Sequence, residues 1–228
     1  MTKVLIAVTA ASHWTLKDGT DYPCGYWPEE LAVAHRLFRA SGAATTIATP
    51  GGVTPTPDQA GMTDEWAGYL DAIRPELTRP TPLETVNPAH YDALYVPGGY
   101  GPMQDLAFSV TFGDLVRAMF EAGKPVSAVC HGPAAFLPAR KEDRSWLFSG
   151  FRMTCFTNRE EADLDMHDRA AWLAEDRLRE DGGVFSSADQ LWGAHVVSDR
   201  NLHTGQNPAS VEPLAKALLA ASAEVDRC

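Results

Sequence analysis

Cys130 stands where a thiol can act as a nucleophile. Ser127-Ala128-Val129-Cys130-His131-Gly132-Pro133 reads as an apolar strand that ends at a cysteine and passes at once into a helix start. A tight strand-to-helix turn of this kind exposes one side chain above a sheet. Gly132 permits close packing at the turn, and Pro133 can begin a helix without wasting an N–H donor. The partial positive charge of a helix N-terminus lowers a neighbouring thiol pKa, and the thiolate is the attacking species. The expectation is therefore a Cys130 thiol held below its usual range. The competing reading is a buried structural cysteine, a common fate of this residue type.

A second segment, Tyr95-Val96-Pro97-Gly98-Gly99-Tyr100-Gly101-Pro102, ends another apolar strand. Adjacent glycines let backbone N–H groups approach a ligand closely, and such donors can hold a developing oxyanion. A plain strand-end turn has the same composition. The phosphate-loop order G-x-x-x-x-G-K-[ST] and the dinucleotide order G-x-G-x-x-G are both absent.

The elements that must carry these segments alternate along the chain. Lys3–Ala10 reads as a buried strand without polar alternation, followed by a polar loop over 12–24 with a turn signal at Lys17-Asp18-Gly19. A helix is expected from Pro28 to Ser41, closed by Gly42, and a β-branched strand over Thr45–Ala48. Residues 51–89 are rich in Pro and Gly, with one helix near Asp64–Ile73. They read as an insertion that forms a lid or an interface. Alternation then resumes: strands over Ala93–Val96, Pro125–Val129 and Phe151–Phe156, helices over Phe112–Ala122 and from Gly132 to Leu137. One or two exposed helices are expected over Arg159–Arg179. A hairpin turns at Asp199-Arg200, and a closing helix spans Pro208–Ala221. Strand-helix alternation predicts an α/β fold in one domain over residues 1–228. Its central sheet is mostly parallel with helices on both faces, and its ligands lie beyond the carboxyl ends of the strands.

The 228 residues carry a formal charge of −11. An acidic surface repels phosphate backbones and anionic membranes, so neither nucleic acid nor membrane is an expected partner. The apolar run at the N-terminus is too short for a signal segment, and a cytoplasmic protein is expected. The cysteines Cys24, Cys130, Cys155 and Cys228 show no C-x-x-C spacing, so a metal site is not expected.

Taken together, V-P-G-G-x-G at 96–101 and A-V-C-H-G-P at 128–133 resemble the PfpI superfamily, the class I glutamine amidotransferase-like proteins. Two further segments carry the same resemblance. Gly25-Tyr26-Trp27-Pro28-Glu29-Glu30 is similar to the family's G-[FVY]-[FW]-x-x-E, and Thr204-Gly205-Gln206-Asn207-Pro208-Ala209-Ser210 to its T-G-x-N-P-A-S. The first of these, with the Cys-His pair and the long insertion, resembles the heat-shock chaperone-like branch of glutathione-independent glyoxalases. The resemblance implies a flavodoxin-like sandwich, a homodimer, no cofactor, and conversion of a small 2-oxoaldehyde such as methylglyoxal to a hydroxy acid.

It also implies roles, position by position. Cys130 is the nucleophile and His131 the histidine beside it. Counting five residues from Gly25 selects Glu30, not Glu29, as the acid that contacts the thiol. The pattern [GA]-F-T-[DN]-x-x-E matches Cys155–Glu161, so Glu161 orients the histidine, with Glu160 or Asp163 as alternatives. The N–H groups of Gly99 and His131 serve as oxyanion donors with Gly98 beside them, while Trp27 and Trp192, which lie near the motifs, either line the pocket or fill core or interface. Trp14, Cys24, His13 and His203 are possible neighbours of the pocket. Cys155 replaces a usual Gly or Ala, and either packs there or lies near the site. Two rivals stand beside the glyoxalase reading. One is a Cys-dependent hydrolase or hydratase acting on a substrate such as an isonitrile. The other is a holding chaperone or oxidation sensor. The distant H-x-E of a glutaminase triad is absent from the C-terminal region.

Overall fold

The apolar run Val4–Val8 has no polar face to offer water, so it must be covered on both sides. It builds β1 (Lys3–Ala7), an inner strand of the central sheet. The computed structural model describes residues 1–225, and Cys228, expected as a terminal thiol, lies outside the described residues. The other strands are β2 (His13–Thr15), β3 (Asp21–Pro23), β4 (Ala44–Thr49), β5 (Thr81–Pro82), β6 (Ala93–Val96), β7 (Val126–Val129), β8 (Arg152–Met153), β9 (Val184–Phe185), β10 (Val196–Asp199) and β11 (Leu202–Gly205). Among the described residues the central sheet has seven strands in the order β10-β11-β7-β6-β1-β4-β5. Its pairings are parallel except for β10 with β11.

The chain moves outward from β1 to β4 and β5, then returns to β6 on the other side of β1. This reversal leaves a crevice beyond the carboxyl ends of β1 and β6, the usual ligand position in an open α/β sheet. The helices are α1 (Pro28–Ala40), α2 (Asp64–Ala72), α3 (Arg74–Leu77), α4 (Gly101–Gln104), α5 (Val110–Glu121), α6 (Asn158–Asp163), α7 (Ala174–Glu180) and α8 (Val211–Val225). Alternate residues of β1 point to opposite faces. Val4 and Ile6 pack with Leu31 and Phe38 of α1 and Leu214 and Leu218 of α8. Leu5 and Ala7 share the other core with Phe112, Val116 and Met119 of α5. The result is the flavodoxin-like sandwich, with helices on both faces.

Several segments differ from expectation. The polar stretch 12–24 holds a short hairpin, β2–β3, that turns at Gly19 with φ +84. The expected strand 151–156 shrinks to β8, which pairs with β9 outside the central sheet. The backbone of Thr154 and Phe156 is committed elsewhere: Thr154 N–H donates to Thr204 Oγ1 and Phe156 N–H to the Cys130 carbonyl. The helix expected from Gly132 is a 3-10 helix of five residues, Gly132–Phe136. Pro138 cannot supply the N–H that a longer helix would need there. The helices expected over 159–179 are α6 and α7, but Glu160 and Glu161 of α6 are buried, not exposed. Residues 51–89 contain α2 as expected and also β5, which joins the sheet edge beside β4.

Candidate active site

Strand β7 is fully buried and flanked by β6 and β11, which fixes the position of its end. Cys130 follows with φ +59, in the left-handed region that is costly for a residue with a Cβ. Hydrogen bonds on both sides hold it there: its N–H donates to Gly205 O at 2.9 Å and its carbonyl accepts from Phe156 N–H at 2.9 Å. Strain of this kind persists where surroundings over-determine it, and it aims the sulfur into the crevice.

Two polar side chains meet the thiol, His131 and Glu30. Nδ1 of His131 lies 3.4 Å from Sγ. Nε2 of the same ring lies 2.8 Å from Glu161 Oε1, while the Tyr100 hydroxyl donates to Glu161 Oε2 at 2.7 Å. A carboxylate at Nε2 places the ring proton there and leaves the Nδ1 lone pair toward the sulfur. The ring is sandwiched by Tyr100 and Phe156, with centroids 4.3 and 4.5 Å away, and Trp14 stacks on the far side of Tyr100. From the first turn of α1 comes Glu30, fully buried. Its Oε2 accepts from Gly98 N–H at 2.6 Å, and Oε1 is left without a partner beside the Cys130 thiol.

Both loop glycines are demanded by close approach. A Cβ on Gly98 would sit 2.7 Å from Cys130 Cβ and 2.8 Å from His131 N. Gly99 has φ +84, and a Cβ there would meet the Gly25 carbonyl at 2.4 Å. The Gly99 and His131 N–H groups lie near enough to the sulfur to favour its thiolate.

Electrostatics reverse one expectation. Burial pushes the Cys130 thiol well above its ordinary value, and the nearby Glu30 carboxyl adds to this. The N–H groups of Gly99 and His131 pull the other way without offsetting burial. A single short 3-10 helix supplies too few aligned peptides to win. The resting thiol therefore holds its proton. Burial also raises Glu30, to about 8, against the opposing Gly98 N–H. At neutral pH Glu30 is a carboxylic acid.

The cavity above the sulfur encloses about 110 Å³. Gly99, Cys130 and His131 form part of its lining, and Trp27, Tyr100, Phe156, Leu164, Trp192 and Pro208 complete it. Gly98 was expected to face substrate, but its N–H is taken by Glu30 and its carbonyl accepts from Trp27 N–H, so it supports the site from behind. The two alternatives to Glu161 have other partners. Glu160 makes a capping box with Thr157 and accepts from Gln206 and Asn207. Asp163 accepts from the Trp192 indole. Cys24 lines a separate cleft with Tyr22 and Asp58, Trp14 is core, His13 is off the pocket, and His203 is buried in the sheet against Ser198. Cys155 packs in the core with its thiol toward the Phe156 carbonyl. Sequence reasoning missed Tyr100 and Phe156 as neighbours of the His131 ring; a tyrosine directly after the glycine pair was the available signal. Among the described residues no cluster of three or more His, Cys, Asp or Glu could hold a metal ion.

Residues 25–221 match the DJ-1/PfpI family. The chain belongs to that family. It is 34% identical over 174 residues to the glutamine amidotransferase-like class 1 domain-containing protein 1 of Bos taurus, covering 76% of this chain and 78% of the relative. Against glyoxalase 3 of Candida albicans it is 26% identical, over 97% of this chain and 98% of the relative. The solved structure of the Francisella tularensis Rapid Encystment Protein 24 kDa superposes with a TM-score of 0.89 at 26% identity, covering 97% and 99% of the two chains.

Proposed function

We propose that this DJ-1/PfpI protein is a glutathione-independent glyoxalase that converts methylglyoxal or a related 2-oxoaldehyde to a hydroxy acid. The observation that carries the reading is Cys130 at a small apolar cavity with two groups beside its sulfur, the buried Glu30 carboxyl behind it and His131 Nδ1 at 3.4 Å. A relative in Saccharomyces cerevisiae named glutathione-independent glyoxalase and one in Schizosaccharomyces pombe named probable glutathione-independent glyoxalase, 33% and 31% identical over about three-fifths of this chain, support it.

The chemistry follows from the proton positions. Oε2 of Glu30 is occupied by Gly98 N–H, so the acid proton sits on Oε1, toward the thiol. As Sγ attacks the aldehyde carbon, Glu30 gives this proton to the aldehyde oxygen and takes the thiol proton in return. The product is a hemithioacetal with Glu30 again neutral, so no free thiolate is required. His131 Nδ1 then removes the C1 proton while Glu30 protonates the C2 oxygen, giving an enediol. His131 returns its proton to C2, and Glu30 takes the proton of the C1 hydroxyl, leaving a thioester. Water adds to the thioester carbon, the C–S bond breaks, and Sγ regains a proton through His131. The sum is one 2-oxoaldehyde plus one water to one hydroxy acid. The N–H groups of Gly99 and His131 hold the oxygen on C1 as charge develops.

Steady-state lactate formation from methylglyoxal without glutathione tests this. Wild-type protein should form lactate and Cys130→Ser should not. Wild-type turnover retained in Cys130→Ser, or turnover of an isonitrile in place of methylglyoxal, overturns the reading.

A further inference from the structure

One wall of the cavity is held in place at a cost that the chemistry at Cys130 does not explain. Trp192 has φ +62, in the left-handed region where a bulky side chain is an outlier. Its contacts over-determine it. The indole Nε1–H donates to Asp163 Oδ2 at 2.8 Å, and the ring stands edge-on to Phe156, centroids 5.5 Å apart. Asp163 ends α6, two residues after Glu161, and Phe156 packs on the His131 ring. The indole is thus tied to the same helix and the same aromatic side chain that set His131. Yet it remains 37% exposed and lines the cavity, as does the half-exposed Leu164.

The enclosed space, about 110 Å³, lies well below the ~300–1,000 Å³ of sites for drug-sized ligands. Its lining includes neither Lys nor Arg. A strained tryptophan at such a cavity, anchored by a hydrogen bond from its one polar atom, sets the room beside the sulfur.

We propose that Trp192 is a specificity-determining residue: it limits Cys130 to small carbonyl compounds and excludes those with an aromatic substituent. Asp163 is a positioning residue that acts through Trp192. The identity of the substrate rests on the glyoxalase reading, but the size limit does not.

Trp192→Gly is the informative variant, because glycine keeps the left-handed backbone without strain while removing the ring. Asp163→Ala is its companion, since it leaves the indole in place and removes its anchor. The ratio of kcat/KM for phenylglyoxal to that for methylglyoxal should rise about tenfold or more in Trp192→Gly, and in the same direction but less in Asp163→Ala. A second readout needs no turnover. Wild type and variants are alkylated with iodoacetamide or N-phenyl iodoacetamide, and modification of Cys130 is read by peptide mass spectrometry. Selectivity for the small reagent should drop about tenfold in Trp192→Gly. Equal selectivity in wild type and both variants, including no reaction of either variant with the bulky reagent, overturns the inference. Widened alkylation without any methylglyoxal turnover in the wild type leaves Trp192 as the size filter and refutes the glyoxalase reading.

Discussion

At the scale of single residues, the site is a set of proton positions. Glu161 and Tyr100 together keep the Nε2 proton on His131 and turn Nδ1 to the sulfur. Glu161→Gln should lower kcat about 10- to 100-fold with little change in KM, the range seen when an orienting partner is lost. Tyr100→Phe, which removes one hydrogen bond to Glu161, should cost less. Stopped-time lactate assays across substrate concentration separate the two parameters. Glu30 must give a proton, and its pKa is about 8. Thus kcat/KM should decline as pH rises through about 8. Glu30→Gln should lose about 10²–10⁴-fold in kcat and lack that alkaline limb. A wild-type profile flat to pH 10 would contradict the acid role.

At the scale of elements, the site depends on how closely three chain segments meet. The Gly98-Gly99 turn after β6 touches the elbow after β7 and the entry to α1, where Trp27 N–H donates to the Gly98 carbonyl. A Cβ at Gly98 would press on Cys130 Cβ and on the backbone of Val129 and His131, all within 2.8 Å. Gly98→Ala should therefore destabilise the fold by about 1–3 kcal/mol, the cost of forcing extra volume into a packed core. Urea unfolding measures it, and an unchanged midpoint would show that β6 and β7 can separate without cost. Helix α6 has a comparable linking role. Glu160 caps its own helix through Thr157 and accepts from Gln206 and Asn207, which ties the segment after β11 to the segment that carries Glu161.

At the scale of the whole molecule, buried titratable groups set the pH range of stability. Glu30 is raised by burial, so the folded state holds its proton between the ordinary 4.5 and about 8 while the unfolded chain releases it. The stability linked to this proton is fully present below 4.5 and is lost as pH rises through about 8. His35 has the opposite sign. Buried between α1 and the 51–89 segment, where it meets Tyr69, Glu76 and Thr45, it is lowered by burial despite Glu76. The unfolded chain then takes up its proton first, and stability falls as pH drops below 6.5. Between 6.5 and about 8 only the Glu30 linkage acts, so the melting temperature should fall across that window, and Glu30→Gln should flatten this alkaline decline while leaving the acid side unchanged. Calorimetry from pH 5 to 9 checks both, and an unchanged alkaline slope in Glu30→Gln would remove Glu30 from the account.

The sheet-and-helix alternation, the turn that carries Cys130 and the short list of acids from which its partners come are all legible in the amino-acid sequence. These are local signals: apolar runs, glycine pairs, and a thiol at a strand end. Tertiary packing set whatever depends on depth and on the approach of distant segments. It assigned Glu160 to capping, Asp163 to Trp192 and Glu161 to His131, since neighbouring positions on one helix turn point different ways. It placed Gly98 behind the site and brought Tyr100 and Phe156 against the His131 ring. It also reversed the expected ionisation of Cys130. A helix start next to a thiol can be read from sequence, but the solvent excluded around that thiol by α1, β6 and β7 cannot, and here burial outweighs the local dipole.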